Sequence, residues 1–236
     1  MAEEVQGYAR PELLAETDWL EEHLDDPEVV IVDCDPWDVY RRTHIRNAVG
    51  LRGVHHYIKD AHNFTYVMPP DQFADLMGRL GISNDTLVVA YDGFGGLYAC
   101  RLWWVLNLYG HTKVKVLNGG YNKWFLEGRP LSIEVPHPTP RVFEPRPQPR
   151  WLCTLDDAKA RIGCADTVFL DVRSIEEWTG ANPRDNRRAG HIPGAIHLEW
   201  LNFVTDPPLR TFKPAHELRR MLEERGVTPE KEVITY

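Results

Sequence analysis

FADLMGRLGISNDTLVVAY (residues 73–91) lies without a gap over LRRMLEERGVTPEKEVITY (residues 218–236), and this internal repeat decides the architecture. Each copy reads as a helix, a glycine-centred turn and a β-rich strand. Gly81 falls on Gly226, and Tyr91 on Tyr236. Past Tyr91 the first copy continues through Asp92, Gly93, Phe94, Gly95 and Gly96. A strand-to-helix loop of this kind can turn its backbone amides toward an anion. In the second copy the position of Asp92 belongs to whatever residue follows Tyr236.

The repeat extends outward on both sides. Val29–Asp33 and Thr167–Asp171 are short apolar runs ending in an acid, the pattern of a strand buried on both faces of a parallel sheet. Each is followed by an acid-and-aromatic helical turn, at residues 36–40 and 175–178, and then by matched hexapeptides, HIRNAV (44–49) and HIPGAI (191–196). The second copy is nine residues longer between strand and hexapeptide, and this insertion is a candidate functional loop. Strands alternating with helices predict an α/β fold of two tandem domains, each a mainly parallel sheet flanked by helices. The domains are expected at 8–130 and 151–236. Between them, residues 131–150 form a proline-rich stretch with no helical or strand period, read as a semi-rigid linker.

Bulk properties narrow the function. The chain has 236 residues and a formal net charge of −8, which argues against a nucleic-acid partner, because phosphate binding draws on accumulated Lys and Arg. Nowhere do eighteen consecutive apolar residues occur, so no membrane span is predicted, and the N-terminal composition fits neither a secretory nor a transit peptide. A cytoplasmic location is expected. Cys34, Cys100, Cys153 and Cys164 have no CxxC spacing, so neither a zinc site nor a dithiol redox pair is predicted and the thiols are read as free.

LDVRSIEEW (170–178) and GHIPGAIHL (190–198), with LGISNDTLVVAYDG (80–93) and GHTKVKVLNGGYNKWFLEG (110–128), make the chain resemble the rhodanese family over nearly its whole length. The likeness is to tandem-domain sulfurtransferases acting on thiosulfate or 3-mercaptopyruvate. The resemblance implies a non-catalytic first domain and a second domain whose nucleophilic cysteine comes immediately after Tyr236. That cysteine would carry sulfur as a persulfide from a small anionic donor to cyanide or a thiol, with no metal or organic cofactor. The donor is read as thiosulfate in preference to 3-mercaptopyruvate. Backbone amides at a helix N-terminus would favour both the thiolate and the persulfide anion. Asp92, the inert counterpart of the nucleophile, cannot carry sulfur.

Arg173 and Asp171 lie at the strand end where open α/β sheets place ligands, so Arg173 is either a substrate contact or the partner of a structural Asp171. In the first copy the equivalent of Arg173 is Asp35. Arg184, Arg187 and Arg188 make the insertion cationic, suiting an anionic donor or simply a solvated surface. The resemblance assigns Arg184 to substrate binding in mercaptopyruvate-acting relatives. Glu177 stands where both classes commonly place another anion-binding arginine. His191 is read as structural, since the inert copy keeps His44. Trp37 is read as a core aromatic or as part of a cleft wall.

Two other classes remain open from the sequence, a non-catalytic binding module and, less in keeping with the tandem repeat, a cysteine phosphatase. Measured against the first copy, the second lacks roughly forty residues after Tyr236. The strand at 232–236 is therefore expected to expose an edge and apolar faces, and the second half to be weakly stable or to aggregate. A broad or biphasic thermal transition with uptake of a hydrophobic dye is the expected outcome. One sharp transition without dye binding would contradict it.

Overall fold

In the computed structural model, which describes residues 7–62, 66–184 and 186–236, the strands are β1 (Leu14–Ala15), β2 (Val29–Asp33), β3 (His44–Ile45), β4 (Val49–Gly50), β5 (Leu87–Tyr91), β6 (Val114–Leu117), β7 (Leu131–Ser132), β8 (Thr167–Asp171), β9 (Ile196–His197) and β10 (Glu232–Thr235). The helices are α1 (Thr17–Glu22), α2 (Trp37–Tyr40), α3 (Pro70–Arg79), α4 (Leu97–Leu108), α5 (Gly120–Leu126), α6 (Leu155–Arg161), α7 (Ile175–Thr179) and α8 (Ala215–Glu223). None of the described helices is long and apolar enough to cross a membrane.

The chain forms two compact units. The first-half unit comprises Arg10–Leu152 together with Asp206–Thr211. Its five strands run parallel in the order β1-β6-β5-β2-β4, with β3 and β7 paired antiparallel beside them. The second-half unit holds residues 7–9, Cys153–Thr205 and Phe212–Tyr236, and its parallel sheet has the order β10-β8-β9. The duplicated register is the same in both: Val29 pairs Leu87 through to Asp33 with Tyr91, and Glu232 pairs Thr167 through to Thr235 with Leu170.

The repeated helices follow from their apolar spacing. In α3 Phe73, Leu76 and Met77 are buried, and the helix gives way to Gly81 at φ +76°. In α8 Met221 and Leu222 pack on the cluster of Val168, Leu170, Leu198 and Val227, with Gly226 at φ +73°. The first-half core is larger, with Leu20, Ile31, Ile45, Val89, Tyr91 and Leu117 around a fully buried Trp124. The Trp124 indole N–H donates to Pro130 O at 2.9 Å, so the ring is buried without an orphaned donor.

The proline-rich stretch is laid along the first-half unit. Arg141 N donates to Gly78 O (3.0 Å), Arg146 N to Tyr109 O (2.8 Å) and Gln148 N to Leu108 O (2.7 Å). Phe143 is buried edge-on against Phe73, and Trp104 Nε1 donates to Trp151 O at 2.7 Å.

The Asn118-Gly119-Gly120 turn sits directly on the loop after β5, with Tyr121 N donating to Asp92 O at 2.9 Å. Gly120 has φ +52°, and a β-carbon there would collide with the Asp92 carbonyl oxygen. Gly128 also has a left-handed φ of +69° but faces open space. Gly120→Ala should therefore destabilise the first-half unit by more than about 3 kcal/mol, and Gly128→Ala by about 1 kcal/mol. Denaturant midpoints of the two variants test this, and equal losses would contradict it.

Candidate functional site

Both copies build their strand end from the same three segments. In the first, Tyr91 Oη donates to Asp33 Oδ2 at 2.6 Å and accepts from Ile45 N at 3.0 Å. In the second, Tyr236 Oη accepts from Ile192 N at 3.0 Å and shares a hydrogen bond with Asp171. Cys34 N donates to Tyr91 O (2.8 Å), and Val172 N repeats that bond to Tyr236 O (3.2 Å). The repeat aligns these tyrosines, but the sequence by itself gives them no role. Their position one strand over from an equally repeated aspartate was the available signal.

Past Tyr91 the loop wraps the side chain of Asp92. Oδ1 accepts from Phe94 N (2.7 Å) and Gly96 N (2.9 Å), and Oδ2 from Tyr98 N and Ala99 N (both 2.8 Å). The carboxylate is buried at the N-terminus of α4, where four amides and the helix dipole stabilise its charge. The anion cradle anticipated for this loop exists, and the protein's own carboxylate fills it.

The second position after the strand sets the charge of each copy. Asp35 Oδ2 accepts from Gly93 N at 3.0 Å, but its buried Oδ1 has no partner. Burial, reinforced by the charges of Asp33 and Asp92, pushes the Asp35 carboxyl up to about 8. Burial also raises Asp33 to about 6 against the opposing Tyr91 hydrogen bond. At the equivalent place Arg173 donates to Asp171 from Nε (2.9 Å to Oδ1) and from a terminal nitrogen (2.5 Å to Oδ2). It also reaches Gly190 O at 3.0 Å and lies over the Tyr236 ring, 5.0 Å from its centroid. Burial acts to raise the Asp171 pKa, but the hydrogen bonds from Arg173 and Tyr236 outweigh it and lower the carboxyl below its ordinary value. The two strand-end aspartates thus have opposite protonation tendencies: burial prevails at Asp33, and the hydrogen bonds of Arg173 and Tyr236 together prevail at Asp171.

Glu177 caps α7 with Ser174 and holds Arg184 by two contacts, 2.7 Å from Nε to Oε1 and 2.9 Å from a terminal nitrogen to Oε2. Arg187 and Arg188 are exposed, with no ion pair among the described residues. The structure therefore brings Asp171, Arg173 and Tyr236 into one cluster and Glu177 and Arg184 into another, while Arg187 joins neither. His191 stacks on Trp178 at 3.5 Å, and its Nδ1–H donates to Trp178 O at 2.9 Å. His44 does the same with Tyr40, at 4.1 Å and 2.9 Å, and its Nε2 lies 3.0 Å from Glu134 O. Trp37 is half-buried, stacked on Tyr40 with Arg52 above it.

Burial raises the Cys34 thiol well above its ordinary value and Cys100 to about 12, so neither is a ready thiolate. Cys153 and Cys164 are exposed. Among the described residues no cluster of His, Cys, Asp and Glu could hold a metal ion.

A rhodanese-like domain family matches residues 16–127 and 154–236, the two regions that carry these paired strand ends. The chain belongs to the rhodanese family. It is 36% identical to the sulfur carrier protein TtuD of Thermus thermophilus over 98% of this chain and 84% of that protein. It is 35% identical to a thiosulfate sulfurtransferase of Gallus gallus over 70% of this chain and 57% of that one. Among solved structures, the 3-mercaptopyruvate sulfurtransferase SseA of Escherichia coli superposes with a TM-score of 0.83 at 26% identity, covering 94% of this chain and 87% of the other. The rhodanese α/β fold and sulfurtransferase kinship follow from these matches.

The two halves should respond to pH in opposite senses. A carboxyl raised by folding keeps its proton in the native state after the unfolded chain has lost it, so rising pH favours unfolding in that window. The first-half unit should lose stability on the order of a few kcal/mol between about pH 4 and pH 8, and Asp35→Asn should flatten most of that loss above about pH 6. The lowered Asp171 acts the other way, contributing stability at neutral pH that is lost on acidification below about pH 4. Amide exchange resolved to β2 and β8 across this range checks both signs. An unchanged slope in Asp35→Asn would refute the assignment.

Proposed function

We propose that the protein moves sulfane sulfur from thiosulfate to cyanide or a thiol acceptor through a persulfide on a cysteine in the loop that follows Tyr236. That thiolate would attack the outer sulfur of thiosulfate, and sulfite would leave with the electrons of the S–S bond. The acceptor would then attack the outer sulfur of the persulfide and release the thiolate. Neither displacement calls for a metal or an organic cofactor.

The observation that carries the reading is the Asp92 cradle. A rhodanese loop in this chain's own first half turns four amides onto one anionic side chain. The same loop carrying a cysteine would hold a thiolate and then a persulfide by the same contacts. Arg187 and Arg188, exposed and cationic, suit a thiosulfate dianion and remain the candidate substrate contacts. Arg173 is proposed to act through Asp171 and Tyr236, holding the strand end under the loop. The preference for thiosulfate over 3-mercaptopyruvate is supported by Glu177, whose carboxylate engages two donors of Arg184, the residue that the resemblance assigns to the mercaptopyruvate carboxylate.

The 236-residue chain is expected to form no thiocyanate from thiosulfate and cyanide, since burial raises the Cys34 and Cys100 thiols and neither exposed cysteine lies at a strand-end loop. A chain carried past Tyr236 with a cysteine next should form it with ping-pong kinetics and gain the mass of one sulfur atom on that residue. Failure of the longer chain would leave a non-catalytic binding module as the reading. In the longer chain Glu177→Gln should raise kcat/KM for 3-mercaptopyruvate relative to thiosulfate by roughly tenfold, because Arg184 loses its internal carboxylate.

A further inference from the structure

A concave site on the first-half unit is lined by Gly93 and Phe94 of the Asp92 loop and by Pro207, Pro208 and Arg210 of the Asp206–Thr211 segment, which belongs to this unit. Its volume is about 450 Å³, within the range of small-molecule pockets. Phe94, Phe125 and Leu126 form its apolar walls, and they remain 45%, 56% and 55% exposed. Large apolar side chains left this open around a concavity gain most from a ligand that covers them.

The polar group at this site is Arg210. It is half-buried, lines the pocket and makes no hydrogen bond or ion pair among the described residues. Its backbone holds a left-handed φ of +48°, unfavourable for a side chain bearing a β-carbon. The aliphatic stem lies against Gly95, where an added β-carbon would stand 2.9 Å from Arg210 Cδ. The stem is pinned by contact with a residue that has no side chain, while the guanidinium keeps its donors. Asn122, also in the lining, spends one amide hydrogen on Gly93 O at 3.1 Å and retains the other. Asp92, the acid within the 92–96 loop, already has four amide donors.

We propose that this pocket binds a small organic carboxylate with a flat apolar body, its carboxylate on Arg210 and its body between Phe94 and Phe125. One unpaired guanidinium with no second cation in the lining matches a monoanion better than a phosphate dianion. The site is built wholly from the first-half unit and does not depend on the proposed sulfur transfer.

The test is titration of the full chain with benzoate, followed by ligand-observed saturation-transfer NMR and calorimetry, with benzyl alcohol, acetate and inorganic phosphate as comparators. Benzoate should bind saturably, and the comparators should bind more weakly, each lacking the charge, the ring or the monoanionic form. Arg210→Gly should weaken benzoate by roughly tenfold, the loss expected for a charge-assisted pair, while keeping or raising the thermal midpoint because glycine tolerates the left-handed backbone. Phe125→Ser, which keeps the charge, should also weaken it. Absence of saturable benzoate binding, undiminished binding in a folded Arg210→Gly variant, or acetate or phosphate binding as tightly as benzoate would each overturn the proposal.

Discussion

Each half of this protein depends on a buried carboxylate at the end of an inner strand, met by a tyrosine hydroxyl from the neighbouring strand. An ionisable group taken out of water costs several kcal/mol unless it is hydrogen-bonded, so Asp33 and Asp171 constrain everything around them. Tyr91 and Tyr236 answer that requirement and use the same oxygen to accept the backbone N–H of Ile45 or Ile192. Three segments distant in sequence are thereby fixed to one another. A slip of one residue in β5 or β10 would send the tyrosine to the other face of the sheet, take its hydrogen bond from the acid and leave the Ile45 or Ile192 amide unpaired. The register that the two sheets share is therefore enforced by polar necessity as well as by apolar burial.

The same scaffold then supports opposite electrostatics. With Arg173 two residues on, the buried aspartate is an ion-pair partner and the strand end offers positive charge above the Tyr236 ring. With Asp35 there instead, three acids crowd one strand end, and burial drives a proton onto one of them. Duplication preserved the contacts that set the backbone and let the charge at the loop diverge.

Much of this was legible in the sequence because its signals are local. Apolar runs ending in Asp33 and Asp171, the glycines at 81 and 226 and the periodicity of α3 and α8 each report on a few neighbouring residues. What escaped the reading is held by contacts between residues far apart. The proline-rich stretch has no period, yet its amides bond Gly78, Tyr109 and Leu108. The Glu177–Arg184 pair, though only seven positions apart, follows no helical or strand period; it ties the inserted loop to α7 and turns an apparent departure from the family pattern into an internal partner for an arginine. Arg210 comes late in the chain but packs on Gly95, a contact that no sequence pattern announces.

The Asp92 loop shows what a carboxylate does at this position that an apolar residue would not. Four amides converging on one point are a strong anion site, and left empty in a buried place they would be unsatisfied donors, each costing about 1 to 3 kcal/mol. A neutral apolar residue at position 92 would leave that cost in place. A carboxylate removes it permanently, because its two oxygens accept all four bonds and its charge lies where the helix dipole favours it. On the proposed reading, the second copy leaves the same donors for a thiolate and the sulfur it carries, an anion that comes and goes in place of one that stays.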